Sequence, residues 1–228
     1  MITLSFKQRL STFFEHYPHW KLLLYWPLYG LMFTFVEQFF PVNKYNVVHC
    51  ELDDLIPFNE WFLIPYMFWF FFLIGIQVYA FFRDPAAFRR VVWFMSLTFT
   101  TAILFYMLYP TCQMLRPESF VRDNFLTRII AIGYQMDTNT NVCPSIHVIG
   151  SLGVLFASWD CKKLRSLGWQ IFFWISTILI CISTVFIKQH SVIDVIVALP
   201  VSGAAYWAIY QWPLRRRKVK AANKSSIL

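Results

Sequence analysis

Charged residues are scarce in this chain, since Asp, Glu, Lys and Arg together make up only 14% of its 228 residues. Hydrophobic residues account for 58%, whereas an ordinary soluble domain has roughly 45–50% apolar residues. This shortage of charge excludes an ordinary soluble domain and indicates a chain whose solvent is a lipid bilayer. The 25 Phe, 10 Trp and 11 Tyr agree with that, because Trp and Tyr rings favour the headgroup boundary. The length fits a single domain over residues 1–228.

The sequence also lacks a cleavable signal, a cysteine metal site and a single basic surface. Residues 1–20 lack the apolar stretch and small residues that mark a cleaved signal, so we expect the N-terminus to be retained. The five cysteines lack metal-ligand spacing, and we expect free thiols, with a disulfide between Cys112 and Cys143 as the alternative. The net charge of +8 comes from short basic clusters between apolar runs rather than from one basic surface. We therefore predict no nucleic-acid partner.

What the sequence does contain is a series of long apolar stretches. A helix needs about 20 apolar residues to cross the ~30 Å hydrocarbon layer, and six stretches come near that length. We therefore predict an all-α, polytopic membrane bundle of six transmembrane helices. The fourth is short, so its first residues are expected near headgroup depth. The predicted spans are Leu22 to Phe40, Trp61 to Phe82, Val91 to Tyr109, Ser145 to Trp159, Trp169 to Ile187 and Ser191 to Trp212.

Lys and Arg are unevenly divided between the connecting segments, and such residues concentrate on the cytoplasmic side of membranes. One set of segments holds 15 of the 20 and includes the N-terminal segment, residues 1–20, and a basic tail, residues 213–228. Both termini are therefore predicted to be cytoplasmic, in a multi-pass protein of the plasma (inner) membrane. The tail is expected to anchor the chain on anionic lipid. The other set, predicted to face outside, is Lys44, Arg116, Arg122, Arg128 and Lys188.

A shorter apolar stretch lies in the outer segment between the third and fourth predicted spans. It runs from Phe125 to Gly133, is too short to span and carries Arg128. We predict an interfacial helix there, with Asp123 as its N-cap. For Arg122, Arg128, Asp137 and Asn141 we favour structural roles.

Three groups of polar residues are costly at membrane depth and are therefore candidates for function. Arg116-Pro117 follows the third span, Cys143-Pro144-Ser145-Ile146-His147 begins the fourth, and Lys188-Gln189-His190 with Asp194 begins the sixth. The third span runs outward while the fourth and sixth run inward. All three groups are therefore predicted to lie at the same outer face.

His190 and Asp194 are four residues apart, so on a helix they share one face. The carboxylate can accept the hydrogen of one ring nitrogen and leave the other nitrogen free as nucleophile or base. Arg116, Lys188 and two helix N-termini favour an anion such as a phosphoryl group, and His147 can protonate a leaving alkoxide. The alternatives are an N-cap role for Ser145, a snorkelling Lys188, an Arg116 that merely binds headgroups, and buried hydrogen-bonding histidines. A metal site on both histidines and Asp194 is disfavoured, because Arg116 and Lys188 would oppose a cation.

These residues resemble the type 2 phosphatidic acid phosphatase superfamily, the lipid phosphate phosphatases. Its motifs have the forms Lys-x6-Arg-Pro, Pro-Ser-x-His and Ser-Arg-x5-His-x3-Asp. In order and spacing they match Arg116-Pro117, then Pro144-Ser145-Ile146-His147, then Ser183, His190 and Asp194. Two motif cations are replaced, by Tyr109 and Thr184, and Lys188 is a candidate substitute for one. With these two cations replaced, the chain looks more like the branch of inositol phosphorylceramide synthases and sphingomyelin synthases than like the lipid phosphate phosphatases.

The resemblance implies a membrane enzyme that needs no metal or other cofactor and acts on a lipid phosphate. Its catalytic residues would be His190, which forms a phosphohistidine, Asp194, which orients it, and His147, which protonates the leaving group. Arg116, Ser145 and Lys188 would bind the phosphoryl oxygens. The leading prediction is a phosphatase for a lipid phosphate monoester or pyrophosphate that opens to the outer face. A headgroup transferase with the same intermediate is the alternative, and a small non-enzymatic transporter is the second.

Overall fold

A computed structural model describes residues 6–213 of the chain. The model is 75% helical, and the described range contains nine α-helices, which confirms the all-α prediction. The end of the basic tail, residues 214–228, and residues 1–5 lie outside the described range. The helices are α1 Phe6–His16, α2 Tyr25–Gln38, α3 Glu51–Leu55, α4 Leu63–Arg83, α5 Pro85–Leu108, α6 Phe125–Met136, α7 Ile146–Asp160, α8 Leu167–Phe186 and α9 Val192–Tyr206.

Shorter elements connect these helices. Turns of 3-10 helix cover Pro18–Leu24, Glu60–Phe62 and Lys162–Leu164, and a π-helical turn, Trp207–Gln211, continues α9. Two short parallel strands, β1 Asn46–Val47 and β2 Thr111–Cys112, pair Asn46 with Thr111. They join the segment before α3 to the segment after α5. The five cysteines are free.

Four helical segments in the described range are long and apolar enough to cross a membrane: Glu60–Arg83, Pro85–Leu108, Leu167–Phe186 and Val192–Gln211. The predicted fourth span corresponds to α7, which is apolar but shorter. The first predicted span, Leu22 to Phe40, is divided between the 3-10 helix Pro18–Leu24 and α2. With 14 residues, α2 extends only about 21 Å, because the chain enters it through that tighter turn. The four segments fit a membrane protein.

The short helix α7 lies at the centre of the bundle, packed against α4, α5, α8 and α9. Glycines make this close packing possible. A Cβ added to Gly150 would lie 2.9 Å from Nε1 of Trp69 on α4, and one added to Gly153 would lie 2.5 Å from Cε of Met95 on α5. Small residues let helix backbones approach where the surrounding lipid supplies no hydrophobic drive for association. The position of α7, and with it the position of His147 at its start, therefore depends on this close packing against α4 and α5.

The short helix predicted between the third and fourth spans is present as α6, three residues longer than expected. Its N-cap is Asn124 rather than Asp123, because the Asn124 side chain accepts the N–H groups of Leu126 and Thr127. Asp123 instead forms an ion pair with Arg128, at 2.8 Å. Arg122 pairs with the buried Glu60 at the start of the α4 segment, at 2.9 Å. Both arginines thus have the structural contacts expected of them.

Candidate active site

His190 and Asp194 form the centre of the site, where α9 begins. Nδ1 of His190 lies 3.1 Å from Oδ2 of Asp194, and both side chains are buried, His190 at 6% exposure and Asp194 at 0%. An ionised carboxylate only accepts hydrogen bonds, so the hydrogen of this bond belongs to Nδ1. The Nε2 atom of His190 therefore keeps its lone pair, which is the arrangement required of a nucleophile or base.

His147 lies on the other side of the His190 ring. Its Nδ1 is 3.3 Å from Nε2 of His190. Because Nε2 accepts in this pair, Nδ1 of His147 carries the hydrogen. The His147 ring packs against Tyr66 and Trp69 of α4, with ring centroids 4.6 Å and 4.4 Å apart. The structure thus brings together the second and third polar groups of the sequence, with a donor aimed at the lone pair of His190.

Asp53 of α3 holds the turn that carries His190. Its buried carboxylate accepts the Ser191 hydroxyl at 2.6 Å and the Val192 N–H at 2.8 Å. Ser191 is the N-cap of α9, and its own N–H donates to Oδ2 of Asp194 at 3.0 Å. A continuous hydrogen-bonded path therefore connects Asp53 with His190 through Ser191 and Asp194. Sequence reasoning missed Asp53, which was only one of several acidic residues in its loop.

The charge of Asp53 is favoured by its contacts. Burial acts to raise the pKa of the Asp53 carboxyl, but hydrogen bonds from Ser191, Val192 and Cys50 outweigh it and hold that pKa below its ordinary value. A carboxylate that accepts several N–H and O–H donors is stabilised in its charged form. Asp53 is therefore an anion at neutral pH, held at the N-terminal end of α9, where negative charge is stabilising.

Lys188 lies at the turn between α8 and α9. It adopts a left-handed backbone with φ of 56°. The Gln189 N–H bonds to Thr184 O and the Lys188 N–H to Val185 O, the Schellman pattern that ends many helices and usually has glycine where Lys188 stands. The Lys188 ammonium donates to the carbonyls of Asp53 and Ile56, each at 2.6 Å. Its predicted phosphate-binding role stays a prediction, beside this second role of joining the turn to α3.

Arg116 connects the loop after α6 with the turn before α9. Its two Nη atoms donate to the carbonyls of Tyr134, Asp137 and Thr138 and to Oε1 of Gln189. The guanidinium also stacks on the Tyr134 ring, 4.5 Å from its centroid. Within residues 6–213 the buried Nε has no hydrogen-bond partner. Arg116 thus contacts Gln189, the residue that precedes His190, and one of its N–H groups is unpaired in the described range.

The charges around Arg116 are partly desolvated. Burial lowers the pKa of Arg116, although Asp137 and Tyr134 act against that shift. Burial raises the pKa of Asp137, while His190 and Arg116 act to lower it. A guanidinium keeps its proton despite such a shift. The site therefore has a fixed positive charge close to a carboxyl group that is less acidic than usual.

Ser145 precedes α7 and is fully buried. It occupies the N-cap position but makes no side-chain cap hydrogen bond, and its hydroxyl has no partner within the described range. Oδ1 of Asp194 and Nε of Arg116 are unpartnered in the same way. Buried polar groups are nearly always paired. Three buried polar atoms on predicted site residues lack a hydrogen-bond partner within the described range.

The two positions that lack the motif cations differ in exposure. Tyr109 ends α5 and is 59% exposed, whereas Thr184 is fully buried and donates to the carbonyl of Cys181 at 2.8 Å. Neither supplies a positive charge. In the described part of the chain, no group of three or more His, Cys, Asp or Glu side chains is arranged to hold a metal ion.

Comparison with known proteins adds one match. A family model described as the PAP2 superfamily matches residues 56–208, a stretch that contains Arg116, His147, His190 and Asp194. No curated protein and no solved structure matches the chain. The matched stretch covers well over half of the sequence and runs from the end of α3 into the turn after α9.

Proposed function

Because the chain belongs to the PAP2 superfamily, which suggests phosphatase-type activity, we propose that it hydrolyses a lipid phosphate monoester or pyrophosphate. The reaction uses a phosphohistidine on His190 and no metal or other cofactor. The single observation that carries this proposal is the position of the His190 ring, with Nδ1 3.1 Å from Asp194 and Nε2 3.3 Å from His147.

In the first step the Nε2 lone pair of His190 attacks phosphorus and the bond between phosphorus and the leaving oxygen breaks. The leaving group, an alkoxide or, in the case of a pyrophosphate, the lipid monophosphate, takes the Nδ1 proton of a doubly protonated His147, which is left as neutral imidazole with its hydrogen on Nε2. Attack gives the His190 ring a positive charge, which Asp194 stabilises through the Nδ1 hydrogen bond. The substrate has to displace the contact between the two histidines, and this leaves Nδ1 of His147 close to the departing oxygen.

In the second step water attacks the phosphohistidine. Nδ1 of His147, now unprotonated, accepts a proton from the water, the phosphorus–nitrogen bond breaks and free phosphate leaves. His147 ends the cycle protonated at Nδ1, and His190 recovers its lone pair. Both steps use the same two ring nitrogens, so one histidine pair serves as nucleophile and as acid and then base.

The phosphoryl oxygens bind to donors that have no partner in the described structure. The Ser145 hydroxyl and Nε of Arg116 are such donors, and the free N–H groups at the start of α7 add to them. Lys188 contributes a positive charge, with part of its ammonium engaged by the carbonyls of Asp53 and Ile56. The phosphate is thereby held at Nε2 of His190 by donors from three segments of the chain.

The chain spans the membrane six times, with both termini cytoplasmic and the histidines at the outer face of the plasma membrane. The α2 and α7 helices complete the six crossings beside the four longer segments. Support comes from the uneven division of Lys and Arg between the two faces. Because α7 is short, His147 lies near headgroup depth, where the phosphate of a membrane lipid is found.

A headgroup transferase is the second candidate. Tyr109 and Thr184 replace two cations of the family motifs, as in the inositol phosphorylceramide synthase and sphingomyelin synthase branch that the sequence resembles. Fewer cations suit a substrate with less negative charge, such as a phosphodiester. The first step is then the same, and a lipid alcohol takes the place of water in the second.

Purified protein in detergent, incubated with a panel of lipid phosphates and phosphodiesters in the presence of a chelator, tests the proposal. We expect release of inorganic phosphate that His190→Ala abolishes and His147→Ala lowers at least a hundredfold. His49→Ala is the matched control, because His49 is in the same outer region and forms only an exposed ion pair with Asp54. Acid-labile, alkali-stable phosphate on the wild-type chain identifies the phosphohistidine. Headgroup exchange without free phosphate indicates the transferase, and turnover insensitive to both substitutions contradicts either enzyme.

A further inference from the structure

A second polar cavity lies at the opposite end of the bundle from the histidines. It has a volume of about 450 Å³ and lies between the ends of α7 and α9 and the start of α5. Asp160, at the end of α7, lines it and is 13 residues from His147, or about 20 Å along the helix. The volume falls within the roughly 300–1,000 Å³ of ligand pockets. The cavity is therefore separate from the candidate active site.

The walls of this cavity carry an excess of positive charge. Arg90, Arg165 and Asp160 line it, together with the aromatic residues Phe156 and Trp159. Arg90 donates to Asp160 through Nε, so the carboxylate is already neutralised by one of the two guanidinium groups. Arg165 donates to the main-chain carbonyls of Trp159 and Asp160, not to a carboxylate. One positive charge on the cavity wall thus lacks an anionic partner in the described structure.

A residue that lines the same cavity carries a buried hydroxyl without a partner. Tyr210 lines the cavity and is only 7% exposed, and its hydroxyl makes no hydrogen bond within residues 6–213. Such an orphaned group costs free energy unless a ligand or water satisfies it. The hydroxyl and the Arg165 guanidinium together offer donors to an oxygen-rich anion.

We propose that this cavity binds the phosphate headgroup of an anionic phospholipid from the leaflet opposite the histidines. Basic pockets between membrane helices on the cytoplasmic side are suited to such headgroups, and in the orientation proposed above this is the cytoplasmic face. Arg165 and Tyr210 bind the phosphate oxygens, while Phe156 and Trp159 contact the glycerol and the first methylenes. The site does not depend on the proposed phosphatase activity.

Binding is tested on detergent-purified protein carrying His190→Ala, so that turnover plays no part. Dihexanoyl phosphatidylglycerol, dihexanoyl phosphatidylcholine and inorganic phosphate are titrated separately by microscale thermophoresis. We expect saturable binding of phosphatidylglycerol, at least fivefold tighter than that of phosphatidylcholine. Arg165→Gln and Tyr210→Phe should each weaken it at least fivefold. Lys163→Gln removes the same charge from an exposed residue of the neighbouring turn and should leave the affinity unchanged.

Tyr210→Phe makes the test independent of folding, because it removes only a hydroxyl that has no partner in the described structure. Its melting temperature should equal or exceed that of the parent protein. Inorganic phosphate that binds with the same sensitivity to both substitutions, while phosphatidylglycerol does not, identifies free phosphate as the ligand and overturns the lipid assignment. Equal affinity for the two lipids, or affinities that neither substitution changes, also overturns it.

Discussion

The Oδ2 atom of Asp53 accepts the Ser191 hydroxyl at 2.6 Å, across 138 positions of sequence. Through this bond a five-residue helix of the loop before α4 holds the N-cap of the helix that carries Asp194 and adjoins His190. Asp53 does not touch either histidine in the hydrogen-bond network. It is therefore a positioning residue for the proposed nucleophile.

Asp53→Asn should lower kcat about tenfold and change KM little. The amide is neutral and has one acceptor oxygen, so the Val192 N–H and the Ser191 hydroxyl both lose a charged partner and one of them loses its acceptor. Hydrogen bonds to charged groups contribute roughly 1.5–3 kcal/mol. The turn then holds His190 less firmly, whereas the phosphate-binding donors remain. Steady-state kinetics on the best lipid phosphate measure both parameters. Asp54→Asn, at the exposed neighbouring position, is the control, and an equal loss in both variants would argue against a specific role for Asp53.

The lowered pKa of Asp53 predicts how its contribution to stability depends on pH. A carboxyl whose pKa is lower in the folded than in the unfolded state stabilises the fold above its unfolded pKa, about 3.9. That contribution disappears as the pH falls through the lower folded value. The melting temperature of Asp53→Asn should thus lie below that of the wild type at pH 6, and the gap should close below about pH 4. Thermal unfolding followed from pH 6 to pH 3 measures this, and a gap that is constant over the range contradicts it.

Much of the site could be predicted from sequence, and the reason is topological. The number of apolar stretches between Ser145 and Asp194 puts the start of α7 and the start of α9 at one end of the bundle, so His147 and His190 had to be near each other. Asp53 could not be found in this way, because its contact depends on how a polar loop folds over that end. Hydropathy also could not show that the first predicted span begins in a 3-10 turn, Pro18–Leu24, and continues as α2, because it counts apolar residues only. Asp123 and Asn124 are both good N-caps, and the sequence alone does not show that Asn124 caps α6 while Asp123 pairs with Arg128.

Cys143 should react more slowly than an ordinary thiol, and Asp194→Asn should speed it up. Burial raises the pKa of Cys143 to about 12, and the negative charge of Asp194 adds to that shift. Less of the thiol is then ionised at pH 8, and the thiolate is the reactive form. Maleimide labelling at pH 8 of a chain with the other four cysteines changed to serine measures the rate. Replacing Asp194 by Asn removes the charge and should lower the pKa, so an unchanged or slower rate would show that Asp194 does not act on this thiol.

Gly150→Ala should destabilise the protein by about 1–3 kcal/mol, the usual cost of overpacking a tight core. The new methyl would lie 2.9 Å from Nε1 of Trp69, and Trp69 must move against the His147 ring that it contacts. Activity should therefore fall even at temperatures where the variant is folded. Gly75→Ala on α4 is the matched control, because nothing lies within 4 Å of its added Cβ and alanine favours helix. Chemical denaturation and turnover measure both effects, and similar behaviour of the two variants would contradict the packing argument.

Ser145→Ala should lower activity without lowering the stability of the fold. The Ser145 hydroxyl is buried and has no partner in the described structure, so its removal should leave stability unchanged or slightly higher. If the hydroxyl donates to a phosphoryl oxygen, its loss removes a charge-assisted bond of roughly 1.5–3 kcal/mol and lowers kcat/KM about 10- to 100-fold. Ser158→Ala, at the other end of α7, where the hydroxyl bonds to the Leu155 carbonyl, should keep its activity. A Ser145 variant that unfolds more easily but turns over normally would assign this residue to the fold rather than to the phosphate.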